Sequence, residues 1–125
     1  MSIENTVIKI LAIETSCDET AISIVEANDG VVNVLAHIVH SQIDIHKEYG
    51  GVFPTLAKRE HEKNLIPVLV EALTKAGLFK EASQIDIPPE SLEYLPKNQD
   101  LPANFKKIMP TIAKPNIAYI TVTEG

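Results

Sequence analysis

The apolar positions of the chain first run together in short blocks and then spread out to helical spacing. Val7 to Ile13 (VIKILAI) is a nearly unbroken apolar, β-branched run, which predicts a strand buried on both faces. Thr20 to Ala27 (TAISIVEA) predicts a second strand and Val31 to His40 (VVNVLAHIVH) a third. Between these two, Asn28-Asp29-Gly30 supplies residues that tolerate positive φ in a tight hairpin. Three strands joined by short turns predict an antiparallel meander.

After a polar connector with a Gly50-Gly51 pair, adequately explained by a turn requiring positive φ, the pattern changes. Pro54 suits the first turn of a helix, where its missing N–H is no loss. Leu65, Val68, Leu69, Ala72, Leu73 and Ala76 then recur at helical spacing and form one buried stripe. Pro67 lies inside this helix and is expected to kink it or split it, and Gly77 to cap it. Phe79 to Pro115 holds six of the chain's eight prolines and no glycine, which marks an insertion-like segment. Its apolar residues favour short helical turns, such as Glu90 to Leu95 and Ala103 to Met109, over full disorder. Ile117 to Val122 (IAYITV) predicts a final strand, able to lie parallel beside the first.

Composition narrows the possibilities. At 125 residues and 45% hydrophobic content, one compact domain burying roughly two-thirds of its unfolded surface is the limit. There is no apolar run long enough to span a bilayer and MSIENT does not look like a signal peptide, so a cytoplasmic location and no membrane partner are expected. A lone Cys17 fits a reducing compartment and reads as a small packing residue rather than a nucleophile. A net charge of −6 argues against a free-standing nucleic-acid binder, so any RNA must meet a local basic patch or a basic companion.

The chemistry concentrates in IETSCDET, Ile13 to Thr20, a polar turn between two strands. On its own, a β-turn carrying Asp18 and Glu19 is most simply explained by acids that bond nearby backbone N–H groups. Lys58, Arg59 and Lys63 form a small basic cluster early in the helix, by default a solvated face because Glu60 and Glu62 lie between them. Among the four histidines, His37 and His40 are three apart in a strand, point to opposite faces and cannot share an ion.

Three stretches together resemble a known family: ILAIETSCDETAISIV from Ile10, SQIDIHKEYGGVFPTLAKREHEKNLIPVL from Ser41, and AYITVTEG at the end. They resemble the start of the universal tRNA threonylcarbamoyladenosine transferase family, TsaD, over residues 8–79 and 117–125, with 80–116 an insertion. The resemblance implies an α/β, ribonuclease-H-like N-terminal lobe of the actin, Hsp70 and sugar-kinase superfamily, β-β-β-α-β, spanning 1–125. It implies transfer of a threonylcarbamoyl group from threonylcarbamoyl-AMP to the N6 amine of the adenosine beside the anticodon, in tRNAs reading codons that begin with A. Asp18 and Glu19 become the catalytic candidates, and Lys58, Arg59 and His61 of the AxRxH stretch the candidates for meeting tRNA or bound nucleotide. The family's one divalent metal, iron in preference to zinc, is expected to have its ligands downstream, with none in this chain. Expected partners are tRNA, a paralogous TsaB-like subunit and, in a bacterium, a TsaE-like ATPase. Family members continue beyond the last strand, so the chain looks like an N-terminal fragment, inactive alone. Two alternatives remain, a catalytically silent TsaB-like scaffold and a kinase-like nucleotide binder. The SCDE turn speaks against the first, the lack of Asp-x-Gly there against the second.

Overall fold

The computed structural model describes residues 7–16, 19–42, 50, 54–82, 85–93 and 100–123. Cys17, Asp18, Gly51 and His46, which the sequence singles out, lie outside them. Strands β1 (Val7–Ser16), β2 (Glu19–Asn28) and β3 (Val31–Ser41) form the expected antiparallel meander. Strand β4 (Tyr119–Val122) lies parallel to β1, and the sheet order is β3-β2-β1-β4. The β2–β3 hairpin turns on Asp29 and Gly30, with φ of 50° and 81°. Positive φ at both central residues matches the right-handed twist of the flanking strands.

Opposite Ile24 and Val25 the register of β3 jumps from Ala36 to Val34, leaving Leu35 unpaired in a bulge. Ala36 is buried and Leu35 packs against the same core, so two successive residues serve one face there.

Helix α1 (Pro54–Lys75) crosses the β2–β3 side of the sheet. Val68, Ala72 and Leu73 are buried with Leu11, Ile22, Ile24, Ala36 and Ile38. The helix ends as Gly77 predicts. Gly77 takes a φ of 74°, its N–H donates to the Thr74 carbonyl at 3.1 Å, and that of Leu78 donates to the Leu73 carbonyl at 2.8 Å. This reciprocal pair is a Schellman motif, which satisfies carbonyls the helix itself leaves open.

Of the two outcomes expected at Pro67, a kink or a split, the split does not occur: α1 runs through Pro67 as one helix. A proline has no N–H to give the carbonyl four residues earlier, here that of Lys63, and its ring pushes that carbonyl aside. Asn104 Nδ2 donates to the Lys63 oxygen at 3.3 Å in its place. Pro67 itself is exposed.

Asn104 belongs to the proline-rich segment, which forms two short helices, α2 (Pro89–Glu93) and α3 (Asp100–Ile108), and a 3-10 turn, Met109–Thr111. Glu81 and Ile112 make an antiparallel bridge, flanked by bonds from Ala82 N–H to the Thr111 carbonyl and from Ala113 N–H to that of Lys80, both 2.8 Å. The segment therefore closes on itself. It is not wholly peripheral, because Leu101 is buried and Ile112, 5% exposed, belongs to the central core.

The Asn104 contact can be isolated by a double-mutant cycle. Asn104→Ala should lower stability by about 0.5–1 kcal/mol, the net worth of one partly solvated hydrogen bond. In a Pro67→Ala background, where residue 67 again donates to Lys63, the loss should shrink toward zero, as denaturant unfolding of the four variants would show.

Candidate functional site

The polar turn and the first turns of α1 are brought to one end of the sheet. Ser16 and Glu19 form the last pair of the β1–β2 ladder, and Glu19 with Ser41 the last of β2–β3. The C-terminal ends of the parallel strands β1 and β4 reach the same end, with Thr123 N–H bonded to the Ile13 carbonyl at 3.0 Å. Ligands of α/β proteins gather beyond the C-terminal ends of parallel strands.

Alternation along β2 sorts its residues. Thr20, Ile22 and Ile24 are fully buried on the α1 side, which puts Glu19, Ala21 and Ser23 on the other face. Glu19 is half-buried there. The same face carries a groove of about 160 Å³ lined by Glu14, Ala21, Ser23, His37, Thr121 and Thr123, among others, but not by Glu19. Ser23 and His37 are cross-strand partners, and their Oγ and Nδ1 atoms are 2.7 Å apart.

His61 faces the opposite way. Its Nδ1 lies 2.7 Å from the Thr20 hydroxyl and 3.3 Å from Gln42 Nε2. Thr20 is 0% and Gln42 1% exposed, while His61 is half-buried, so the contacts reach from the interior to a partly covered ring. Gln42 Nε2 also donates to the Ala57 carbonyl at 3.4 Å. That carbonyl can only accept, which fixes the amide orientation and makes His61 Nδ1 an acceptor as well. Thr20 therefore donates to Nδ1, and the imidazole proton sits on Nε2.

Of the residues the sequence nominates, Lys58 and Arg59 are exposed on α1 near this end, His61 turns inward, and Glu19 lies across the sheet from it. Asp18 is outside the described residues. Thr20 and Gln42 are the residues that sequence reasoning passed over. Strand parity was the available signal, since Thr20 keeps step with Ile22 and Ile24, and Gln42 with Ala36 and Ile38. The helical stripe, followed back from Leu65 by four-residue steps, likewise reaches His61 and Ala57.

The mixed sheet, the helix on one face and the polar turn define an α/β lobe of ribonuclease-H-like type. The family model described as TsaD, tRNA N6-adenosine threonylcarbamoyltransferase, matches residues 33–87. Three relatives bear that same name. One from Persephonella marina is 54% identical over 70 residues, 56% of this chain and 20% of the relative. One from Dehalococcoides mccartyi is 56% identical over 68 residues, 54% of this chain and 20% of the relative. One from an Anaeromyxobacter species is 56% identical over 70 residues, with 56% and 20% covered. Over the matched residues the chain is similar to the TsaD family, and it spans about a fifth (20%) of the length of the curated relatives it matches. No helix among the described residues is long and apolar enough to cross a membrane.

Removing the Thr20 hydroxyl takes away the shorter of the two contacts to His61 Nδ1. Thr20→Val, nearly equal in volume, should lower stability by about 1–3 kcal/mol, the range for a buried polar atom losing its partner. Chemical denaturation monitored by circular dichroism would measure it.

Proposed function

We propose that the chain forms the N-terminal lobe of an acyltransferase that moves a threonylcarbamoyl group from threonylcarbamoyl-AMP to the N6 amine of the adenosine next to the tRNA anticodon. The observation that carries this reading is the 54–56% identity to relatives bearing the transferase name, over a stretch that overlaps the residues matched by the family model.

In the reaction, the N6 nitrogen attacks the carbamoyl carbon, the bond from that carbon to the phosphate oxygen breaks, and AMP leaves with the electron pair. The nitrogen sheds a proton. An aromatic exocyclic amine is a weak nucleophile, so a carboxylate placed to accept that proton lowers the barrier. Asp18 and Glu19 are the acids this lobe offers. Glu19 stands at the end of the ladder on the open face of the sheet, which suits such a role.

At the same end α1 has no acidic residue in its first turn, and Lys58 and Arg59 follow in the second. The helix dipole and the two side-chain cations have the same sign there, a setting that favours an approaching phosphate of tRNA or nucleotide.

A divalent metal, iron before zinc, belongs to the proposal for the complete enzyme. Among the described residues no group of three or more His, Cys, Asp or Glu side chains is placed to hold one, so no step here runs through it. A TsaB-like subunit, a TsaE-like ATPase and a cytoplasmic setting complete the proposal.

The test is transfer of labelled threonylcarbamate to tRNA by a full-length protein carrying this sequence. Asp18→Asn or Glu19→Gln, whichever removes the proton acceptor, should lower turnover by roughly a hundredfold while leaving thermal stability nearly unchanged. Full turnover in both variants would remove the base from this turn.

A further inference from the structure

The proposed reaction needs Glu19 held still if it is the base, and the structure shows what holds the strand end that carries it. We infer that His61 is a positioning residue, which grips Thr20 from the helix side and thereby fixes Glu19 on the open side of the sheet. This rests on the transferase reading only for its catalytic consequence.

The end of a ladder is where a strand frays, and Glu19 is the last paired residue of β2 toward both neighbours. Thr20 is the next residue. Its hydroxyl is tied to His61 Nδ1 at 2.7 Å, and the same nitrogen and the Ala57 carbonyl are tied by Gln42, just beyond β3. One imidazole nitrogen thus joins the start of β2, the exit of β3 and the second turn of α1. Successive residues of a strand point to opposite faces, so a side chain clamped from below directs its neighbour upward. The buried stripe of α1 carries His61 to this place, since Ala57, His61, Leu65 and Val68 follow one another at helical spacing. His61 therefore acts inward, through Thr20, while the exposed Lys58 and Arg59 remain the residues suited to meet an anion.

The two ring nitrogens give the test its resolution. Asparagine places an amide oxygen near the Nδ1 position, whereas glutamine places its polar end near Nε2. In the complete enzyme His61→Gln should lower kcat by about 10- to 100-fold, the effect of a displacement of about 1 Å in a reacting group. The KM for tRNA should stay within about twofold, and His61→Asn should recover most of the kcat. A raised KM at unchanged kcat, or rescue by glutamine instead of asparagine, would overturn the proposal in favour of direct contact with tRNA. A second readout does not depend on transfer. In the present chain, ¹⁵N imidazole shifts should show His61 Nδ1 without a proton, and the backbone amides of Glu19 and Thr20 should shift in His61→Gln but little in His61→Asn. A protonated Nδ1 with unmoved Glu19 and Thr20 amides would sink the grip itself. Absence of transfer by the wild-type enzyme with these shifts intact would fault only the transferase reading.

Discussion

Helix α1 lies on the sheet in the one orientation that buries its apolar stripe, and the rest of the lobe depends on that contact. Val68, Ala72 and Leu73 close over Ile22, Ile24, Ala36 and Ile38, all of them buried. Each large side chain among them contributes about 1.5–3 kcal/mol when fully removed from water. A misrotated helix would forfeit several such terms at once. Packing therefore dictates where the polar residues of the same stripe arrive, and His61 is delivered to Thr20 because the leucines and valines beyond it have no other place to go. The hydrogen bonds at that end refine a position that apolar burial has already chosen.

Much of this was legible along the chain because strand and helix periods are written directly in the apolar positions. The meander, the hairpin at Asp29 and Gly30, the helix from Pro54 and its stop at Gly77 all follow from local rules. What local rules could not show was compensation from afar. Pro67 breaks a helix when the carbonyl it orphans has no partner, and the partner here, Asn104, lies in a segment with no regular pattern of its own. The same is true of the site. The acids of the turn and the basic pair of α1 were visible as residue types. The inward turn of His61 was not, because a histidine next to arginine and glutamate reads as a surface residue until the stripe behind it is extended backward.

The proline-rich segment shows how a stretch without strands of its own can join a fold without joining its sheet. Its ends are pinned by the Glu81–Ile112 bridge, so the loop it closes is short in span whatever its length in residues. Closing a longer loop adds little entropy cost once the ends are fixed. What the segment returns is Ile112 to the core, a buried Leu101, and a donor for the carbonyl of Lys63.

The bulge at Leu35 bears on the chain's behaviour toward other chains. Among the described residues β3 pairs only with β2, which leaves its outer rim of N–H and C=O groups open along a strand whose Val31, Val32, Val34 and Val39 are exposed. Such a rim invites a foreign strand to add itself, the first step of aggregation. An extra residue in mid-strand bends the rim and breaks its repeat, so an incoming strand in step with Val31–Val34 falls out of step at Ala36. Deleting Leu35 would thus straighten the edge into one uninterrupted template, trading a local irregularity for a tendency to polymerise.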